Sequence, residues 1–482
     1  MVGNEESPAA EERLAALEAA LAERDAKLAE RDAQIEALQK RLAELTQRLA
    51  QNSTNSHLPP SSDGPGARSK SKTRRPKPGT GRKRGGQKGR KGAKRELADP
   101  AKVDEVVDFF PDACLGCAAE LPRVHDPEAR RHQQVDLVDY GPWLIEYRRH
   151  RVDCPKCGAR SIATHDPKKI PSTAFGPRLT SVVVMLTGVY HISRFRTTQL
   201  IADMFGISIS VGTVSAMEAR ASRALEPVHE EVKRVVERAS VKYADATAWL
   251  REGKTKSPWT ISVSAATVYE IFEDGARETI RPLFGALWGV LVSDRASVFG
   301  FWAMVMRQIC WSHLIRKFVS FSERDGPAGK IGRELLECAG LVFEYWRSFK
   351  SGTLTRDELI AWMRPVQRHF ESTLERAVTS DLGHVSGSCA DMLAHREALW
   401  TFVSHDGVDP TNNEAERALR AAVLWRKRSF GSKSDVGERF VTRVLTVART
   451  ARKQARNVLD FFEQAITAKN DGRPAPRLIA AT

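Results

Sequence analysis

No apolar run in these 482 residues comes near the roughly 18 needed to cross a bilayer; Phe284 to Val292 is among the longest. The N-terminus lacks the basic-then-apolar layout of a secretory signal. Cysteine is scarce: there are seven, four of them in two C-x-x-C pairs, which fits a reducing compartment better than a disulfide framework. Two local absences divide the chain. No Gly or Pro occurs between Pro8 and Leu58, and no acidic residue occurs from Gly64 to Arg95. What is present is strongly basic, with a net charge of +15 and a pI of about 9.6. That balance favours nucleic acid or an anionic surface as partner. The length allows several domains and at least one substantial core. The expectation is a cytoplasmic, nucleoid-associated protein with no membrane span.

Leu14, Leu21, Leu28, Ile35, Leu42 and Leu49 fall on a strict seven-residue repeat, and Leu17, Leu38 and Leu45 occupy a second seam that Arg24 and Arg31 interrupt. A repeat of 3.5 residues per turn predicts a coiled coil over 10–51, most simply a homodimer, rather than a helix folded back on its own chain. From 52 to 100 the character changes. Fourteen Lys or Arg and eight Gly between Gly64 and Arg95 make a basic arm that cannot build a core. Arg82, Lys83, Arg84 and Lys88 in that arm are expected to neutralise DNA phosphates without reading sequence.

Cys114, Cys117, Cys154 and Cys157 supply four thiolates, and the second pair lies in CPKCG, where Gly follows the last sulfur. Four thiolates close a tetrahedral structural zinc site over 101–165, leaving no open position for catalysis; the competing reading is redox or unmetallated pairs. Cys310, Cys338 and Cys389 are isolated and read as ordinary buried residues. Residues 170–238 look helical. Within them one helix ends near Phe205, Gly206 turns the chain and a second helix opens near Ser210. This fits a helix-turn-helix with Thr213 and Ser215 facing DNA, and equally fits simple helical packing.

From Ser240 the hydrophobic period shortens. VKYADATAWL, SPWTISVSAATVYEIFE and ALWGVLVSD read as strands, with Asp245 and Asp294 at the ends of two of them. CWSHLIRKF follows, with His313 beside Arg316 and Lys317, a packed or surface histidine ahead of a catalytic one. Residues 319–408 show only helix-type patterning. In DPTNNEAERALRAAVLWRKR, Asn412 is placed to cap a helix on which Ala418, Leu419, Ala422 and Val423 make the apolar stripe. That helix holds Glu416 among Arg417, Arg420, Arg426, Lys427 and Arg428. Alone, the glutamate reads as a partner for nearby arginines. With two strand-end aspartates upstream, it points to divalent-metal chemistry on a phosphate backbone. RKRSFGSKSDVGERF then reads as a basic Gly/Ser loop, and Phe440 to Ala468 as a further amphipathic helical region.

The order of these pieces resembles transposases of the insertion sequence 66 family over nearly the whole chain. The pieces are the leucine repeat, NSTNSHLPPSSD, GRKRGGQKGRKG, the two C-x-x-C pairs, ADATAW, the SD of ALWGVLVSD, CWSHLIRKF and DPTNNEAERALR. The resemblance implies a ribonuclease H-like catalytic core whose Asp-Asp-Glu triad falls on Asp245, Asp294 and Glu416, and accessory proteins encoded by the same mobile element. The family's Asp-Glu-Thr is here Asp245-Ala246-Thr247, and its Asp-Gly-Tyr is Asp294-Arg295-Ala296. These departures touch neighbours and not the carboxylates.

The expected architecture is a multidomain α/β protein: coiled coil (10–51), basic linker (52–100), zinc-binding module (101–165), helical DNA-binding region (170–238), ribonuclease H-like core (239–318), helical insertion (319–408), catalytic-Glu helix (409–430) and C-terminal helices (431–482). The expected chemistry is cleavage and joining of DNA strands at element ends by two Mg²⁺ or Mn²⁺ ions held by the three carboxylates. Arg417 and Arg420 would steer phosphates of end and target DNA. Two rivals stand beside it: a catalytically inactive DNA-binding protein descended from a transposase, and a structure-selective nuclease that cannot join strands.

Overall fold

A computed structural model describes residues 8–49, 97–113, 115–127, 129–134, 141–153, 155–157, 159–163, 170–171, 173–380 and 382–479. Arg82, Lys83, Arg84 and Lys88 of the basic arm, and Cys114 and Cys154 of the paired cysteines, lie outside the described residues. Two compact units divide the chain, one of Met1–Ala67, Tyr147–Asp203 and Ser208–Thr482, the other of Arg68–Glu146 with Met204–Ile207.

In the smaller unit, a bridge between Ala113 and Glu120 closes the turn that carries Cys117. The Gln133 side chain braces Ala98, accepting from its N–H at 2.7 Å and donating to its carbonyl at 3.1 Å.

The larger unit begins with helix α1 (Pro8–Leu49). Its heptad residues Leu17, Leu21, Leu28, Ile35, Leu38 and Leu42 are all exposed. Strands β1 (Arg151–Asp153) and β2 (Arg160–Ile162) then form a hairpin whose turn carries Cys157, and Arg160 Nε meets Asp153 Oδ1 at 2.7 Å across it. Helices α2 (Pro177–Val184), α3 (Arg194–Phe205) and α4 (Val211–Glu237) come next. Gly206 turns the chain at φ 64°, a conformation glycine adopts without a Cβ penalty. Ser210 caps α4 by accepting from the Thr213 N–H at 3.1 Å. The predicted helix boundaries and turn are therefore present.

Six strands build the central sheet: β3 (Val241–Ala246), β4 (Trp249–Arg251), β5 (Lys254–Ser262), β6 (Thr267–Phe272), β7 (Val290–Ser293) and β8 (Arg307–Ile309). β3 lies centrally, antiparallel to β5 on one side and parallel to β7 on the other, with β8 parallel beyond β7. β6 extends the sheet antiparallel beside β5, while β4 prolongs the β3–β5 pairing past a break at Thr247 and Ala248. β7 is buried along its whole length, as its apolar sequence requires of a strand covered on both faces.

The short α5 (Arg277–Ile280) lies between β6 and β7, and after β8 come α6 (Trp311–Ser322), α7 (Gly326–Lys350), α8 (Arg356–Thr379), α9 (His384–Ala394) and the short α10 (Thr401–Ser404). No strand occurs in 319–408 among the described residues. α11 (Asn413–Ser429), α12 (Asp435–Lys453) and α13 (Val458–Asn470) complete the chain. Successive strand residues face opposite ways, so the sheet separates two cores. Ala244, Ile261 and Leu291 join Leu225 of α4, Val444 of α12 and Phe461 of α13. Tyr243, Val292 and Ile309 join Trp311 and Phe318 of α6 and Phe370 of α8 on the opposite face. α4 is thus a wall of the sheet's own core along most of its length.

One strand went unread and one expectation is corrected. β8 carries Arg307 and Gln308, both buried, and no apolar alternation announced it. It holds because partners outside the strand satisfy its polar groups: Gln308 Nε2 donates to the Leu399 carbonyl at 3.1 Å and Gln308 Oε1 accepts from the Phe402 N–H at 2.8 Å. The segment read as loop, 426–440, is loop only over 430–434, since 435–440 already belong to α12 and 426–429 to α11. α11 runs on to Ser429, because basic side chains near a helix C-terminus complement its dipole.

Candidate active site

Three chain segments converge at the carboxyl ends of the parallel strands, where open α/β sheets usually bind their ligands. In the β3–β7 ladder Tyr243 faces Val292. Two residues beyond that pair stand Asp245, near the end of β3, and Asp294, just past β7, close enough that the Asp294 charge acts on the Asp245 carboxyl. Ser293 faces Ile309 in the next ladder, so Cys310 continues the same row. Each aspartate accepts a nearby backbone N–H, Asp245 within β3 and Asp294 in the turn that follows β7. Asp245 Oδ1 accepts from the Ala246 N–H at 2.9 Å, and Asp294 Oδ1 accepts from the Ala296 N–H at 3.0 Å. Buried Arg307 reaches the Asp294 carbonyl at 3.2 Å and fixes that turn from beneath.

Glu416 arrives on the first turn of α11, and two tethers bring the helix to the sheet. The Trp311 N–H donates to the Pro410 carbonyl at 2.9 Å. Asn412, fully buried, donates from Nδ2 to the Ala244 carbonyl at 2.7 Å and from its backbone N–H to Cys310 Sγ at 3.2 Å. Asn412 does occupy the cap position, but its side chain makes no capping hydrogen bond. Its amide is spent on β3 instead, one residue before Asp245. Replacing Asn412 with Ala leaves that carbonyl without its partner, so unfolding stability should fall by about 1–3 kcal/mol in a urea melt. An unchanged melt would remove Asn412 from this role.

The electrostatics record the convergence. Burial pushes the Asp245 carboxyl up to about 7; the Ala246 N–H opposes this, Asp294 and Glu416 add to it, and Arg316 pulls it down. Glu416 Oε1 is buried without a hydrogen-bond partner, and His313 Nε2 lies 3.9 Å from it. Cys310 Sγ, His313 and Glu416 place their ligand atoms within 4.8 Å of one another. Burial first, with Glu416 adding, pushes the Cys310 thiol up to about 12, so it stays protonated. Arg295 anchors the far side by pairing with Asp391 at 2.8 Å.

Among the described residues the ligand atoms that meet closely enough to share a cation are those of Cys310, His313 and Glu416; Asp245 and Asp294 are not in that group. A cation there would give Glu416 Oε1 a partner. Hard carboxylate oxygens suit Mg²⁺ or Mn²⁺.

Residues 172–439, more than half of the chain, match the family described as Transposase IS66 family. The chain belongs to that family. Residues 4–96 match a second family, described as of unknown function (DUF6444). Two curated relatives of this IS66-family chain come from Sinorhizobium fredii (strain NBRC 101917 / NGR234). Uncharacterized protein y4qI is 26% identical over 181 residues, covering 36% of this chain and 32% of its own. Uncharacterized protein y4hP is 24% identical over 345 residues, covering 64% of this chain and 62% of its own. The chain therefore spans less than two thirds of either relative's length.

Other expected site residues of this IS66-family chain fall as follows. Arg417 and Arg420 are exposed on α11 beside Glu416. Thr213 and Ser215 are half-buried at the start of α4, and the Thr213 hydroxyl lies 3.0 Å from that of Ser210. Cys117 and Cys157 are exposed, each in its own tight turn. Sequence reasoning treated Cys310 as ordinary core and left His313 packed or on the surface, yet both stand beside Glu416. Their C-x-x-H spacing at a helix start was the available signal.

Proposed function

We infer that the chain is a transposase that cleaves and joins DNA strands at the ends of its own insertion sequence, on a ribonuclease H-like core whose catalytic residues are Asp245, Asp294 and Glu416. The observation that carries this reading is geometric: Asp245 near the end of β3 and Asp294 just past β7 follow one parallel ladder, and Asn412, at the start of the helix that bears Glu416, donates to the Ala244 carbonyl beside Asp245.

Bound between these carboxylates, two Mg²⁺ or Mn²⁺ ions would activate the attacking oxygen and stabilise the leaving one. The chain's own residues do the rest. Asp245 and Asp294 approach from the sheet, each oriented by a backbone N–H, and Glu416 approaches on the first turn of α11. Arg417 and Arg420 draw in the phosphate backbone. In cleavage, water oxygen forms a bond to phosphorus and the P–O3′ bond breaks, the departing oxygen taking up a proton. In joining, the freed 3′-hydroxyl oxygen bonds to a target phosphorus as the target's P–O3′ bond breaks, and the departing 3′ oxygen takes up a proton.

The remaining parts serve assembly on DNA. The exposed heptad residues of α1 would pair two copies and so bring two ends together. The basic arm and the α3–α4 turn engage double-stranded DNA, structural zinc on Cys114, Cys117, Cys154 and Cys157 orders the module between them, and accessory proteins of the same element act with it at the nucleoid. The test uses the whole purified chain with Mg²⁺ and labelled duplex taken from the terminal repeats flanking its gene. Nicked and joined products are expected. Tight binding with no Mg²⁺-dependent product would leave the non-catalytic reading in its place, and cleavage without joining would leave the nuclease.

A further inference from the structure

α11 ends in a conformation that its last side chain should avoid. Phe430 sits at φ 56° and ψ 25°, its N–H donating to the Arg426 carbonyl at 2.8 Å. Helices commonly finish with one residue in this left-handed state, but it is usually Gly, because a Cβ is disfavoured there. Such strain persists only when surrounding structure over-determines it, and it clusters at functional positions.

Here the over-determination is visible. At the neighbouring Gly431, φ is 100° and a Cβ would meet the Leu250 carbonyl oxygen at 2.0 Å, so the loop is pressed onto β4. Ser432 fastens it, donating from its N–H to the same carbonyl at 3.1 Å and accepting from Trp249 Nε1 at 3.0 Å. On the helix side, Arg426 donates to the Ala248 carbonyl at 2.6 Å, just past the strand that delivers Asp245. The backbone at Phe430 is clamped from both directions, yet the residue is 79% exposed. Burial therefore does not explain it.

Its surroundings are cationic. Lys427, Arg428 and Lys433 are exposed around it, and Arg428 also reaches the carbonyl of half-exposed Tyr190 at 3.1 Å. Upstream along α11, Arg417, Arg420 and Lys427 are exposed at helical spacing and so share one outward face. That face runs from Glu416 to Phe430, about 21 Å at 1.5 Å per residue. The same span covers roughly six steps of duplex at 3.4 Å each.

We propose that a DNA duplex lies along this face of α11, phosphates on Arg417, Arg420 and Lys427, and that Phe430 is a wedge stacking on a base roughly six steps from the cleaved phosphate. The proposal rests on the DNA-cleaving reading of Glu416. An aromatic ring suits this use because every base offers a face to stack on, whatever the sequence, and apolar wedges inserted between base steps are a recurrent device for unstacking duplex DNA.

The experiment uses the full chain with Ca²⁺ in place of Mg²⁺, and end duplexes carrying 2-aminopurine at one position at a time, one to twelve steps from the cleavage point. A fluorescence change confined to positions near the sixth is expected with the native chain and with Phe430→Trp. It should vanish with Phe430→Gly, which also weakens duplex binding roughly ten-fold, the scale of losing one base–aromatic stack. Phe430→Gly relieves the left-handed strain, so its melting temperature should equal or exceed that of the native chain. A lowered melting temperature, or a fluorescence profile unmoved by Phe430→Gly, overturns the wedge. The two readings separate cleanly. Cleavage with an unmoved profile sinks the wedge alone, whereas a localised signal without Mg²⁺-dependent cleavage sinks the nuclease chemistry alone.

Discussion

Glu416→Gln, Asp245→Asn and Asp294→Asn should each lower Mg²⁺-dependent strand cleavage by roughly 10³-fold, the scale of removing one preorganised group that stabilises developing charge. Each change keeps side-chain size and deletes one charge, so the fold should survive while cation binding does not. The three positions act as a unit, so the double variant Asp294→Asn with Glu416→Gln should be scarcely slower than either single one. Duplex affinity should change little, since the basic arm and the outward arginines of α11 are untouched. Single-turnover rates on labelled terminal-repeat duplex, read beside binding isotherms, separate the two effects. Full activity in Asp294→Asn would end the assignment.

In the metal-free protein, the contribution of Asp245 to stability should fall as pH rises from about 4 to 7. The folded chain holds the Asp245 proton to about pH 7, whereas an ordinary aspartate releases it near 3.8. Between those values the folded state binds one proton more than the unfolded state, so raising the pH favours unfolding by about 1.4 kcal/mol per unit and levels off above 7. His191 slopes the other way. Burial, with Arg428 nearby, holds it down to about 4, so its contribution rises with pH between 4 and 6.5. The native chain minus Asp245→Asn isolates the aspartate. Melting temperatures of the pair should diverge as pH climbs from 4 to 7, the native chain becoming the weaker. Mg²⁺ should restore far more at pH 8 than at pH 5, because it binds the carboxylate and must displace the proton at lower pH. Parallel melting curves for the two proteins would contradict the coupling seen around Asp245.

What the sequence could announce followed from local physics. The strand-end positions of Asp245 and Asp294 were legible because each follows a strand-forming apolar run, and the helix under Glu416 because it carries a clear apolar stripe. Gly206 marked the turn between α3 and α4. β8 was illegible: three residues led by Arg307 and Gln308 owe their strand to hydrogen bonds from residues some ninety positions later. Asn412 was misread for a related reason. Its neighbours in sequence suit a cap, but its neighbour in space is the Ala244 carbonyl. Cys310 and His313 looked unremarkable because nothing local says that Glu416 will be folded against them. Composition also concealed that α4 would be wall rather than a separate module, since its buried residues have the same spacing either way.

The tether between Asn412 and β3 also sets a schedule. The two aspartates are neighbours as soon as β3 and β7 pair, but the third acid is made only after the whole run of α6 to α10. On the proposed reading, a chain emerging from the ribosome therefore carries an incomplete set of the three acids for most of its synthesis. Mg²⁺-dependent cleavage would then begin only once the final stretch has arrived and docked.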